Sequence, residues 1–190
     1  MNWFIRLITG GWAAAITLLP FGIYIQEKYW KYKEFAKNIW DRIVNHESIH
    51  WKQQKEMLFV GIFLSLITGV IFLLLKLSLW YLLLLILIPF AFFYLWYLIE
   101  WFIRLFVNWG HSYYAIGFEH ESHVNEGDLN YLTNRKWFSW LKFMKYDKYD
   151  QKVQGLVMGF MIIKPWRKLI LYFIYLTIIV LLGISIIILV

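Results

Sequence analysis

Residues 45–56 read Asn45-His46-Glu47-Ser48-Ile49-His50-Trp51-Lys52-Gln53-Gln54-Lys55-Glu56, and Met57–Leu75 follows with nineteen residues and no charge. The apolar part reaches the ~20 residues that carry a helix across a hydrocarbon core. No Gly or Pro interrupts Ile39–Met57, so the spacing predicts a helix over 39–56 that runs directly into a membrane helix over 57–75. Histidines at 46 and 50 stand four apart and share a helix face.

Working outward, Leu79–Ile99 is a second uncharged run of twenty-one residues, and the helix it predicts extends to about 103. Only Lys76, Leu77 and Ser78 separate the two runs, which predicts a tight membrane hairpin over 57–75 and 79–103. Gly61, Ser65 and Gly69 recur at steps of four, a stripe along which a second helix can approach closely. Pro89 predicts a kink. Leu169–Val190 gives a third span of twenty-two residues. Trp3–Ile25 is a poorer candidate, with Arg6, Gly10-Gly11, Pro20 and Gly22 in it. Because its apolar character continues past Ala13-Ala14-Ala15 to Leu19, a membrane-inserted or re-entrant segment over 1–25 is expected rather than a cleaved leader. Within it, Phe21, Ile23 and Ile25 alternate with Gly22 and Tyr24 at the period of a strand, an edge along which an extended substrate would lie.

Composition agrees. The chain is 61% hydrophobic and 16% charged, too apolar for an ordinary soluble domain, too apolar for disorder, and without the cysteines of a disulfide scaffold. The expected fold is an all-α integral membrane protein, a single membrane domain over 1–190 with three to four transmembrane helices. The formal charge is +7. Basic residues gather in 26–56 and 104–168, while the hairpin tip holds only Lys76. The positive-inside rule therefore puts both segments in the cytoplasm and the C-terminus outside. Basic and aromatic residues interleave over 135–152, which suits anionic lipid; no nucleic-acid partner is expected.

The chemistry lies in H-E-x-x-H. Two imidazoles one helical turn apart can hold one tetrahedral Zn²⁺, and Glu47 beside them can serve as general base toward water and then as proton donor to a leaving amine. A third ligand must come from elsewhere. Residues 118–126 read Phe-Glu-His-Glu-Ser-His-Val-Asn-Glu, and the membrane hairpin returns this stretch to the face that carries His46. Glu119 and Glu121 point roughly 200° apart on a helix, so only one can face the metal. Glu119 shares its face with Ser122, His123 and Glu126. Gln53 lies one turn beyond His50, and Glu100 with Arg104 forms an i, i+4 pair.

His46-Glu47-x-x-His50 followed by Glu119-x-x-Ser122-His123 resembles the gluzincin pattern H-E-x-x-H…E-x-x-A-D used by membrane-embedded CAAX-type zinc proteases. The chain is more closely similar to small bacterial integral-membrane proteins regarded as zinc metallopeptidases. The stretches that carry this likeness are Pro20–Ile25, Asn45–Gln54, Tyr94–Glu100, Phe118–Glu121 and Asp128–Leu132, within residues 10–145. The resemblance implies a metallopeptidase of the bacterial inner membrane, with His46, His50 and Glu119 as zinc ligands, Glu47 as catalytic base, and a peptide or membrane-protein substrate met at the cytoplasmic face of the bilayer. Ser122 and His123 depart from the pattern where it has Ala and Asp, the Asp being the residue that orients a ligand histidine. Two other classes remain open: a non-enzymatic membrane protein whose metal pins its juxtamembrane segments together, with His123 as a fourth ligand, and a basic lipid- or nucleic-acid-binding protein without metal.

Overall fold

A computed structural model describes residues 13–76, 80–108 and 111–145. The chain divides into two units, Met1–Asp150 and Gln151–Val190, and all described residues belong to the first. The expected span over 169–190, the segment beyond 145 and residues 1–12 lie outside the described residues.

The polar and apolar halves of the deciding stretch form one unbroken helix. With α1 the single turn Tyr32–Phe35, α2 runs over Lys37–Leu74 for 38 residues, a length of about 57 Å at 1.5 Å per residue. The chain leaves it at Lys76, whose φ of 53° is the left-handed conformation that ends helices. Helix α3, Trp80–Val107, returns antiparallel and continues through Pro89. Both are long and apolar enough to cross a membrane, and only 11% and 17% of their most apolar windows is buried. A core helix of a soluble protein would bury most of that surface. Phe59, Phe63, Leu66 and Leu74 on α2, and Leu87, Phe102 and Phe106 on α3, are instead exposed.

The small-residue stripe faces α3. A Cβ on Gly61 would stand 2.6 Å from Pro89 Cα, whereas one on Gly69 would meet only the Leu85 Cδ1 methyl at 3.2 Å. The helix crossing therefore needs glycine at 61.

Within the segment over 1–25 that was expected to be membrane-inserted or re-entrant, the described part is not helical. Here the chain forms an antiparallel β-hairpin, β1 (Ala15–Leu18) and β2 (Gly22–Ile25), with Thr17 opposite Ile23 and Leu18 opposite Gly22. Ile16-Thr17 and Ile23-Tyr24-Ile25 are β-branched or aromatic, and Gly22 takes φ 116°, open to glycine alone. The fold is thus mostly helical with a two-stranded sheet, not all-α.

Beyond α3, α4 (Gly117–Asn125) packs back on α2, α5 (Tyr131–Asn134) follows it, and a 3-10 turn over Ser139–Met144 packs on α4. Their core is Met57, Phe93, Ile116, Phe118 and Trp140, with the Phe93 and Trp140 rings each 4.6 Å from that of Phe118. Glu100 does more than pair with Arg104 at 3.3 Å: its Oε1 accepts the Gly117 N–H at 2.9 Å. A carboxylate thus caps the N-terminus of α4, where the helix dipole favours negative charge.

The contrast between the two glycines is testable. Gly61→Ala should cost about 1–3 kcal/mol, the range of overpacking in a filled interior, and Gly69→Ala should cost little because a leucine tip can move. Thermal unfolding in detergent micelles checks this, with a markedly lowered Tm expected for the first variant only.

Candidate metal centre

One turn of α2 and one face of α4 build the centre. His46 Nε2 and His50 Nε2 face each other at 3.1 Å. Glu119 brings Oε2 to 3.5 Å from His46 Nε2 and Oε1 to 3.4 Å from His50 Nε2. Donors held at about 2.0–2.1 Å around a tetrahedral ion stand about 3.3 Å apart, and the two imidazole nitrogens and the carboxylate, which turns one oxygen toward each ring, are spaced to surround one ion. Glu119 Oε2 and His123 Nε2 are buried without a hydrogen-bond partner and lie 3.5 Å apart. Two acceptors pointed at one another in a dry site call for a positive charge between or beside them. The residues present therefore fit a divalent metal, and two imidazoles with one carboxylate suit zinc.

Each candidate ligand imidazole is held from behind. His50 Nδ1 is 2.7 Å from Gln53 Oε1, and Gln53 Nε2 in turn donates to Phe118 O at 3.0 Å and Glu121 Oε2 at 2.8 Å. Because the amide NH₂ is committed, the amide oxygen faces His50 and must accept, which places the proton on Nδ1 and leaves Nε2 bare. Glu126 Oε2 lies 3.0 Å from His46 Nδ1 and 3.3 Å from His123 Nδ1. As an acceptor it sets the same tautomer in both rings, with Nε2 of each free. Arg42 Nη2 fixes Glu126 Oε1 at 2.8 Å. The Asn45 side-chain amide reaches the carbonyls of Asn125, Glu126 and Asp128 at 3.2, 3.1 and 2.9 Å, stitching the end of α4 to α2 one residue before His46.

Of the two candidate glutamates, the geometry brings Glu119 to the histidines. Glu121 points away, fully buried, accepting from Arg135 Nε at 2.8 Å and Tyr131 Oη at 2.7 Å. Arg135 also pairs with Glu56, so this residue of the basic run is buried and is not part of a lipid-facing surface. Glu47 lies one residue from His46 and is buried; Thr17 Oγ1 on β1 is 2.6 Å from its Oε2 and 3.0 Å from its carbonyl oxygen. His120 turns instead to Phe143 O at 3.2 Å. Tyr97 Oη donates to Glu119 Oε1 at 2.9 Å, and the Tyr114 ring lies 5.1 Å from that of His123. Sequence reasoning missed Thr17, Tyr97 and the part played by Glu126. For Glu126 the signal was present, since it stands two turns after Glu119 on the same face.

The electrostatics without metal follow from this crowding. Burial works against a charged His46, but hydrogen bonds with Glu119 and Glu126 outweigh it and push the imidazole up to about 10. His50 is raised for similar reasons: burial opposes its charge, and Glu119 overcomes that. Burial also works against ionisation of Glu119, yet the charge of His50 and the close approach of both imidazoles hold it well below the usual carboxylate range. His123 is lowered, mainly by burial. Tyr113 is raised well above its ordinary value, by burial first and then by the charge of Glu119, and so stays a neutral donor. Without metal, protons sit where a metal would bind.

Comparison with protein-family models, curated proteins and solved structures returned no match.

Two outcomes follow. Glu126→Gln keeps the shape but gives up the anionic acceptor, so zinc affinity in a competitive chelator titration should fall ~10–100-fold; His46→Ala should lose the metal almost entirely. Because protons on raised imidazoles must leave before zinc can bind, affinity should rise with pH from 6 to 9, about tenfold per unit for each proton displaced. Calorimetry in buffers of different ionisation enthalpy would count the protons released, and a count of zero would refute the protonated centre.

Proposed function

We propose that the protein is a zinc-dependent peptidase, hydrolysing peptide bonds at the cytoplasmic face of a bacterial inner membrane that α2 and α3 cross. The observation that carries this reading is the convergence of His46, His50 and Glu119 beside a separately held carboxylate, Glu47. When bound, zinc supplies a Lewis acid that polarises a carbonyl oxygen and makes water more acidic. The remaining work falls to the chain's own groups. Glu47 Oε2 is engaged by Thr17, which fixes the carboxylate and leaves Oε1 to take a proton from the attacking water. The same group then returns that proton to the leaving amine. The charge of Glu47 reaches both histidines and Tyr113, which supports its place at the centre. Tyr113, kept neutral, is a candidate donor to a developing oxyanion.

An extended substrate can be received on the hairpin. The Gln26 N–H bonds to Ala14 O at 3.0 Å, so by alternation Thr17 and Ile23 form a non-hydrogen-bonded pair whose backbone groups point outward. On the β1 side that edge is filled: Gln54 Oε1 accepts from Leu19 N at 2.8 Å and Gln54 Nε2 donates to Thr17 O at 2.7 Å. Among the described residues, the outer edge of β2 at Ile23 is the one left for strand addition.

A second reading has an observation of its own. His123 Nε2 is buried and unpartnered, and its rotation toward the metal would close a four-ligand structural site. One set of variants separates the two. Under the peptidase reading, Glu47→Gln retains zinc and abolishes cleavage of a quenched peptide library in detergent or nanodiscs. Thr17→Val retains zinc and lowers kcat roughly ten- to a hundredfold, because the base is no longer held in place. Four protein ligands by X-ray absorption and no cleavage by the wild type would establish the structural site instead.

A further inference from the structure

The tip of the β-hairpin, Leu19-Pro20-Phe21, is apolar, with Leu19 half-buried, Pro20 exposed and Phe21 74% exposed. Its height along α2 is set by hydrogen bonds. Thr17 spans Glu47 and Gln54 through its hydroxyl and its carbonyl, and the Leu19 N–H is bonded to Gln54 alone, two turns beyond Glu47 toward the apolar half. Strand β1 thus climbs α2 in the direction of the expected bilayer. Gln54 precedes Met57, where the uncharged run begins, by three residues, about 4.5 Å of helix. Beyond Leu19 the chain extends a further two residues before it turns back. Trp137 marks the same level on another side of the molecule: it is exposed, with its ring 5.4 Å from that of Phe59, as in the aromatic belts of membrane proteins.

A loop tip is normally kept out of lipid by its unpaired backbone groups. Here several of them are already satisfied. The Leu19 N–H is taken by Gln54, Pro20 has no N–H, and Phe21 O accepts from Tyr24 Oη at 3.2 Å. No side chain in the tip carries a charge. At the other end of the segment the exposed aromatics Trp30 and Phe35 lie among Lys28, Lys31, Lys33, Glu27 and Glu34, so apolar character without charge is confined to the tip.

We propose that Leu19-Pro20-Phe21 is a lipid-inserting finger, seated in the cytoplasmic headgroup–acyl boundary with the Phe21 ring among the upper chain segments. The inference rests on the reading that α2 and α3 span the bilayer. It ties the strand pair to the membrane surface: the strand that holds Glu47 through Thr17 is anchored at one end in lipid, and the outer edge of β2 stands immediately above the headgroups. The substrates such an edge meets are polypeptide segments leaving the bilayer.

The chain has no cysteine, so single spin labels can be placed at 21, 34 and 63 in the full-length protein in phosphatidylcholine–phosphatidylglycerol nanodiscs. Collision with oxygen and with a water-soluble nickel chelate reports depth. The expected result is a label at 21 that is shielded from nickel and relaxed by oxygen, as at 63 on the exposed apolar face of α2, while 34 behaves as aqueous. If 63 is in lipid and 21 is as open to nickel as 34, the finger is overturned and the membrane reading stands. If 63 is itself open to nickel, the spanning of α2 fails and the finger falls with it. Phe21→Ser should also leave zinc content unchanged, since the finger touches no ligand.

Discussion

Two imidazole nitrogens held 3.1 Å apart in a buried site cannot both present lone pairs to one another. Either a proton or a metal must stand between them, and this requirement organises the surrounding structure. It explains why three carboxylates, Glu47, Glu119 and Glu126, are tolerated within one small volume that is largely shut off from water. Each balances positive charge that the histidines hold or attract. It also explains why the outer nitrogens are matched so carefully. Gln53 and Glu126 are pure acceptors toward His50 and His46, and an acceptor behind a ring is what turns its other nitrogen into a ligand.

The groups that enforce these orientations are drawn from segments far apart in the chain. Arg42 and Asn45 reach from α2 to the end of α4, Arg135 bridges Glu56 and Glu121, Glu100 caps α4 from within α3, and Thr17 and Gln54 clamp the hairpin. The buried Arg135 cluster matters here through what it fixes. Removing one partner would leave uncompensated charge in the interior, typically costing several kcal/mol. The network would then loosen behind Gln53 and, through it, behind His50.

Much of this was legible before any coordinates. The unbroken α2 follows from a stretch without Gly or Pro. The hairpin of α2 and α3 follows from two uncharged runs with three residues between them, and the Gly61-Ser65-Gly69 face from spacing alone. The pairing of His46 and His50 with Glu119 was within reach because periodicity separates Glu119 from Glu121 by a half turn. What escaped depended on side chains meeting across long separations. The strand character of 21–25 was visible, but its partner strand was hidden in an apolar run that reads equally as membrane segment. Nothing local marks Thr17 as the partner of Glu47, thirty residues away. His123 stands where the gluzincin pattern has its orienting Asp, while the carboxylate that orients His46 comes from Glu126, one turn later. A pattern match fixes a position, whereas the chemistry needs only an acceptor at the right distance.

The continuity of α2 has a consequence for where a polypeptide would be cut. The ligand turn and the apolar half belong to one rigid rod, without glycine or proline between His50 and Met57. Where the proposed membrane reading holds, the centre stands at a fixed height above the start of the hydrocarbon, about 10 Å for seven residues of an upright helix. An extended chain rising from the bilayer covers that distance in about three residues. The helix is then a ruler. Distance from the lipid, more than the identity of side chains, would select the bond presented to Glu47, and a tilt of the rod in a thinner membrane would move the cut by a residue or so.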